Sequence, residues 1–153
     1  MAALFIRILI PLSILLFIPS NILAVKKMVS LANLRTGMKT IDLGSGDGRV
    51  VMAFGKEGAE AYGYEINPFL VIKSRRAIRK AGLEGKAHIY WGIFFLHNLS
   101  CYDIITLFLS PLNMRLLEKK IKRELKPGAR VISFKFPFPN WPCEYQNGEF
   151  YLY

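Results

Sequence analysis

The stretch Thr40-Ile41-Asp42-Leu43-Gly44-Ser45-Gly46-Asp47-Gly48-Arg49 decides the fold. A short apolar strand ends in an acidic residue. A turn with glycine at every second position follows, and then a helix begins. Glycines let backbone amides approach a ligand with no Cβ in the way, and they accept positive φ. Such a turn at the carboxyl end of a first parallel strand is a cofactor seat.

Three ligands compete for it. A phosphate loop needs lysine and then serine or threonine after the last glycine. Gly48 is followed by Arg49 and Val50, which sets that reading aside. A dinucleotide turn reads G-x-G-x-x-G, and here the third glycine comes one residue early. Two carboxylates, Asp42 and Asp47, flank the turn. They repel a pyrophosphate and attract cations, which favours S-adenosylmethionine (SAM), a nucleoside with a sulfonium, an ammonium and no phosphate. An ordinary glycine-rich turn stays as the bland alternative. Glu65 weighs against it, because it ends the next strand, 21 residues after Gly44. An acidic residue at about that distance accepts hydrogen bonds from ribose hydroxyls.

Outward from the turn the chain alternates strand and helix. The pattern predicts strands at 39–43, 60–65, 86–91, 103–109 and 129–134, and helices at 48–56, 68–81 and 112–125. Pro68 suits a first helical turn, and Gly82 suits the end of that helix. The run 103–109 is almost wholly apolar, as befits a strand buried on both faces. The alternation implies an α/β fold with a doubly wound, mostly parallel sheet in the order 3-2-1-4-5. Residues 135–153 leave room for a proline-rich loop and one or two short strands, with 149–153 the best candidate.

The motifs Asp42-Leu43-Gly44-Ser45-Gly46-Asp47-Gly48-Arg49 and Glu65-Ile66-Asn67-Pro68 resemble those of the small class I methyltransferases that modify protein lysines. That family includes an archaeal enzyme of broad specificity and mitochondrial enzymes acting on the c-ring protein of ATP synthase and on the adenine nucleotide translocase. The likeness continues through Gly92-Ile93-Phe94-Phe95, Thr106-Leu107-Phe108-Leu109-Ser110-Pro111, Leu125-Lys126-Pro127-Gly128 and Phe136-Pro137-Phe138-Pro139-Asn140-Trp141, and covers roughly residues 17–153.

It implies a Rossmann-like class I methyltransferase fold with a short C-terminal strand or hairpin, SAM as cofactor, and a protein lysine as methyl acceptor. Asp42, Gly44, Gly46 and Asp47 would hold the methionine part, Glu65 the ribose, and Ile93 and Phe94 would flank the adenine, with Ser45 and Ile66 also cofactor-binding. Thr106, Phe108 and Ser110 would line the approach of the amine. Ile93 departs from the family, which usually has an acidic residue there to accept from the adenine amine. Its loss costs about 1 kcal/mol, so weaker SAM binding is expected. A methyltransferase of a small molecule, lipid or nucleic acid, and a non-catalytic membrane-anchored SAM-binding protein, are the alternatives.

Composition bounds the rest. The 153 residues suffice for one domain, and the net charge is +10. The basic excess lies on two predicted helices, as Lys73, Arg75, Arg76, Arg79 and Lys80, then Arg115, Lys119, Lys120, Lys122, Arg123 and Lys126. These are either solvated faces or an attraction to an anionic surface. No aromatic-interleaved motif supports a nucleic-acid partner. A basic enzyme repels basic proteins at long range, so lysines in apolar, neutral or membrane-embedded settings are the expected substrates. Cys101 and Cys143 stand far apart, and His88 and His97 are isolated, so neither a metal site nor a disulfide framework is indicated.

Residues 4–23 carry one charge, Arg7, and as a helix they would be about 30 Å long, the hydrocarbon thickness of a bilayer, although Pro11, Pro19, Ser20 and Asn21 weaken the run. A cleaved signal peptide, an uncleaved anchor and a buried or interfacial helix are the readings. The resemblance shortens the run to an anchor helix over residues 1–18, ahead of a methyltransferase domain over 19–153. It places Phe17-Ile18-Pro19-Ser20 over the cofactor site, with Ser20 capping a helix to about Leu34. Lys26 and Lys27 after the apolar run favour a membrane-anchored protein with its catalytic domain facing the cytoplasm, or the mitochondrial matrix in a eukaryote.

Overall fold

The computed structural model describes residues 19–153. Its elements, in chain order, are α1 (Ile22–Ala32), β1 (Lys39–Leu43), α2 (Arg49–Lys56), β2 (Glu60–Glu65), α3 (Pro68–Lys80), β3 (Ala87–Trp91), a 3-10 turn (Phe94–Leu96), β4 (Ile104–Leu107), α4 (Pro111–Glu124), β5 (Arg130–Phe134), β6 (Tyr145–Asn147) and β7 (Phe150–Leu152). The strands form one sheet in the order β3-β2-β1-β4-β5-β7-β6. The first five are parallel, and β7 runs antiparallel to both β5 and β6. The expected order is therefore observed, and the tail supplies a full hairpin. A seventh strand antiparallel to the fifth completes the class I methyltransferase sheet.

Strand alternation divides the core between two faces. Ile41, Leu43, Ile105 and Leu107 pack with Met114, Leu117 and Ile121 of α4. Ile104, Ile132 and Phe134 pack on the other face, with Ala24, Val25 and Met28 of α1 and Val50, Val51 and Phe54 of α2. The β1–β2, β2–β3 and β4–β5 connections each carry a helix, whereas β3–β4 carries only the 3-10 turn. On the face of β2 and β3 that alternates with Ala61, Gly63 and Ile89, rings stack instead. Tyr62 lies 5.3 Å from His88, and Tyr64 lies 5.4 Å from Tyr90.

The proline-rich loop after β5 is docked, not free. Phe138 is buried in the α4-side core. Its amide donates to the Tyr153 hydroxyl at 2.9 Å, and the Asn140 amide donates to Glu118 Oε2 at 2.9 Å. Trp141 packs 4.9 Å from Tyr153, with Lys122 Nζ 5.3 Å from its ring. The packing makes this loop a hydrophobic cover over the core.

Two expectations about the amino-terminal part are corrected. The cap of α1 is Asn21, whose Oδ1 accepts from the Ala24 amide at 2.7 Å, in place of Ser20. A membrane-anchored location facing the cytoplasm or matrix is overturned, because among the described residues no helix is long and apolar enough to cross a membrane. Crossing takes about 20 apolar residues, but α1 has 11, includes Lys26 and Lys27, and gives its apolar face to the core. The anchor helix itself, assigned to residues 1–18, lies outside the described residues.

Gly63 of β2 is where the sheet tolerates no side chain. A Cβ there would lie 2.6 Å from Ser45 Cβ and 2.8 Å from Ile89 Cδ1. Gly63→Ala should lower stability by about 1–3 kcal/mol through overpacking. A urea midpoint equal to that of the wild type would show that the turn is free to move off β2.

Candidate functional site

The carboxyl ends of β1, β2 and β4 converge on the glycine turn. Gly44 and Gly46 have φ of 82° and 55°, and Gly48 caps α2 at 80° with no side-chain bond. A Cβ on Gly48 would meet Ser74 Cβ at 2.8 Å, so α3 can approach only a bare backbone. The turn is sewn to β2. The amides of Gly44 and Ser45 donate to the Tyr64 carbonyl at 2.9 and 3.0 Å. Glu65, at the tip of β2, accepts from the Gly46 amide at Oε2 and from the Asn67 amide at Oε1, both at 2.8 Å.

Asp42 and Thr106 stand in register on neighbouring strands. The Thr106 hydroxyl donates to Asp42 Oδ1 at 2.7 Å. Asp42 is only 8% exposed. Burial pushes its carboxyl up to about 7, with the Thr106 bond opposing the shift and the nearby Glu65 adding to it. Asp47 has the opposite environment. Arg49 Nε and Nη2 donate to its two oxygens at 2.8 and 2.6 Å, and Lys73 Nζ lies 3.6 Å away. The Arg49 hydrogen bonds hold its carboxyl below the usual range despite partial burial.

The other expected residues fall in three places. Ser45 is buried against Gly63, with its hydroxyl unpartnered among the described residues. Ile66 and Ile93 are half-buried beside the tips of β2 and β3, where the Ile66 carbonyl accepts from the exposed Trp91 indole at 2.9 Å. Phe94 and Leu109 border Gly44, since a Cβ there would lie 3.9 Å from Phe94 Cε1 and 3.1 Å from Leu109 Cδ2.

The three residues expected along the amine's path are not gathered at one point. Thr106 is buried and turned to Asp42, whereas Phe108 is half-buried on the α1 side of the sheet, 4.9 Å from Phe134 with Lys135 Nζ 5.8 Å from its ring. Ser110 is exposed and caps α4, accepting from the Asn113 amide at 3.4 Å.

Sequence reasoning passed over Arg49 and Asn67. Arg49 ties Asp47 to the chain before α1, donating through Nη1 to the Ser20 carbonyl at 2.6 Å. Asn67 caps α3 by accepting from the Phe69 amide at 3.0 Å. The signal for Asn67 was present, since Asn before Pro is a helix-start pattern. For Arg49 it was a cation at the start of a helix, where the dipole disfavours one.

Residues 42–145 match the family described as ANTKMT methyltransferase domain. The chain is 41% identical over 133 residues to the Mus musculus lysine N-methyltransferase that is named for the c-type subunit of ATP synthase, covering 87% of this chain and 53% of that protein. It thus spans about half the length of that relative. It is 33% identical over 127 residues to a protein-lysine N-methyltransferase of Saccharolobus islandicus, covering 82% of this chain and 79% of that one. Among solved structures, an RNA methyltransferase from Salinibacter ruber in complex with S-adenosyl-L-homocysteine superposes with a TM-score of 0.82 at 31% identity. The match covers 89% of this chain and 91% of that one.

Asp42 makes folding depend on pH. Its folded-state pKa of about 7 lies above the ordinary 3.8. Between those values the folded chain keeps a proton that the unfolded chain has lost. The stability this contributes is therefore complete below about pH 4 and is lost as pH rises through 7. Relative to Asp42→Asn, the wild type should lose on the order of 1–4 kcal/mol across that window, read by urea denaturation at several pH values. Parallel pH profiles for the two chains would contradict the burial of this carboxyl.

Proposed function

The chain belongs to the ANTKMT methyltransferase family, and on that premise we propose that it is a SAM-dependent protein-lysine N-methyltransferase. The reaction moves a methyl group from the sulfonium of SAM to a neutral lysine ε-amine by in-line displacement. The observation that carries this reading is the Glu65 carboxylate, which holds the Gly46 and Asn67 amides and stands beside Asp42 at the mouth of the turn. A carboxylate with two oxygens has lone pairs left for ribose hydroxyls after accepting two bonds. The paired carboxyls suit a cationic nucleoside and oppose a pyrophosphate. The buried Ser45 hydroxyl is a further polar group in the turn.

When bound, SAM supplies an electrophilic methyl group on a positively charged sulfur. The chain's own residues supply position and dryness. Glu65 orients the ribose while fixing the turn. Asp42, steadied by Thr106, faces the cationic end. Asp47 is already neutralised by Arg49 and Lys73, so its part is to hold the turn's far side and not to meet the ammonium. Ile66, Ile93 and Phe94 give the adenine an apolar bed, and Ile93 has no acceptor for its amine. Phe108 offers the incoming lysine stem an apolar rim. A lysine pKa of about 10.4 falls on burial near a cation, which frees the amine for attack. The work is mainly alignment.

The substrate class we infer is a protein lysine in apolar or neutral surroundings. Part of the basic excess is paired within the chain, as Arg79 with Glu84, Lys120 and Arg123 with Glu124, and Lys126 with Asp103. What remains still disfavours a strongly basic target. A nucleic-acid substrate is the second reading, favoured by the basic helices and by the likeness to the RNA methyltransferase from Salinibacter ruber.

Two measurements test this. Incubation with methyl-labelled SAM and a membrane extract should label a protein band and yield methyl-lysine on hydrolysis. Label confined to RNA or to extracted lipid would refute the lysine assignment. Glu65→Gln keeps the side chain's shape, and it should weaken SAM at least tenfold by calorimetry while the protein still melts cooperatively. Unchanged affinity would remove Glu65 from the ribose site.

A further inference from the structure

We propose that Arg49 is a positioning residue that fastens the chain leading into α1 against the glycine turn, so that a bound cofactor is retained by a closed wall. The inference rests on the SAM-binding reading above. Arg49 is the first residue of α2, where the macrodipole makes a cation unfavourable. It is held there by two partners at once. Nε and Nη2 grip both oxygens of Asp47, and Nη1 donates to the Ser20 carbonyl at 2.6 Å, 29 residues away in sequence. Only a planar fork with several donors satisfies a carboxylate and a carbonyl together.

The local Asp47 pair would exist without the Ser20 bond, so the third contact is what this geometry adds. Asp47 follows Gly46, whose amide Glu65 holds. Arg49 thus joins residue 20 to the residue next to the one that the ribose carboxylate fixes. Ser20 is 8% exposed, and Asn21 then caps α1. The segment is therefore pinned at two successive residues. One pin is the α1 cap, and the other is the guanidinium. Lys73, 3.6 Å from Asp47 and on a largely exposed side chain, supports the carboxylate from α3.

Four variants, read by amide exchange, SAM dissociation and steady-state kinetics, decide the matter. In Arg49→Ala, amide hydrogen exchange over residues 19–24 should speed up. SAM dissociation should quicken about tenfold, with KM for SAM raised and kcat at saturating SAM little changed. Asp47→Asn should do the same to a smaller degree, and the double variant should be no worse than Arg49→Ala. Arg49→Lys should recover part of the retention, since an ammonium reaches one partner but not both.

Strictly additive effects of the two substitutions would overturn the proposal, as would unchanged exchange over 19–24. So would loosened amides with wild-type SAM affinity, or a fall in kcat alone. If the wild-type chain fails to bind SAM at all, the cofactor reading fails, and the exchange comparison still decides whether Arg49 holds the segment.

Discussion

A carboxylate that accepts from two backbone amides at 2.8 Å fixes the carboxyl edge of this sheet. Glu65 draws Gly46, in the turn after β1, and Asn67, at the start of α3, to one point. The turn cannot open without breaking that bridge, and α3 cannot tilt without disturbing it. Gly48 and Gly63 then become obligatory, because the backbone of the turn is pressed to within side-chain distance of Ser74 and of β2. Charge-assisted bonds of this kind are roughly twice as strong as neutral ones. The same carboxylate stands close enough to Asp42 to help keep a proton on it. One interaction thereby sets the shape of the crevice and its charge.

The acidic groups around the turn divide into two kinds. Asp47 is saturated by cations of the chain itself, whereas the hydrogen bonds that Asp42 and Glu65 accept among the described residues come from neutral donors. A site for a cationic ligand needs negative charge left uncompensated, and desolvating it is costly. With its carboxyl pushed up to about 7, Asp42 is only partly ionised near neutral pH, which limits that cost.

Much of this was legible in the sequence, because it depends on short-range pattern. The glycine spacing from 44 to 48, the acidic residue at 65 and the apolar run before Ser110 define strand ends, and strand ends define the crevice. What escaped depends on register and on distance along the chain. Thr106 reads as a rim residue, but pairing of β4 with β1 sets it opposite Asp42, 64 residues away. Ser20 and Asn21 are adjacent and both able to cap, and only the backbone path chooses Asn21. The stretch 103–109 is apolar throughout most of its length, yet β4 ends at Leu107. Phe108 and Leu109 leave the sheet there, and Leu109 comes to border the glycine turn. Hydropathy does not mark that departure.

The crossover between β3 and β4 lacks a helix, and this divides the sheet mechanically. The half built on β1, β4 and β5 is clamped between helices on both faces. The half built on β2 and β3 has helices on one face and stacked phenol and imidazole rings on the other. Ring stacking has little directional stiffness beside a packed helix, and β3 is also the last strand of the sheet on that side. Thermal fluctuation should therefore gather at the β3 edge of the sheet, while the turn after β1 is held more firmly. On the proposed reading, a nucleoside entering this cleft would meet a firm wall for its sulfur and a yielding one for its base.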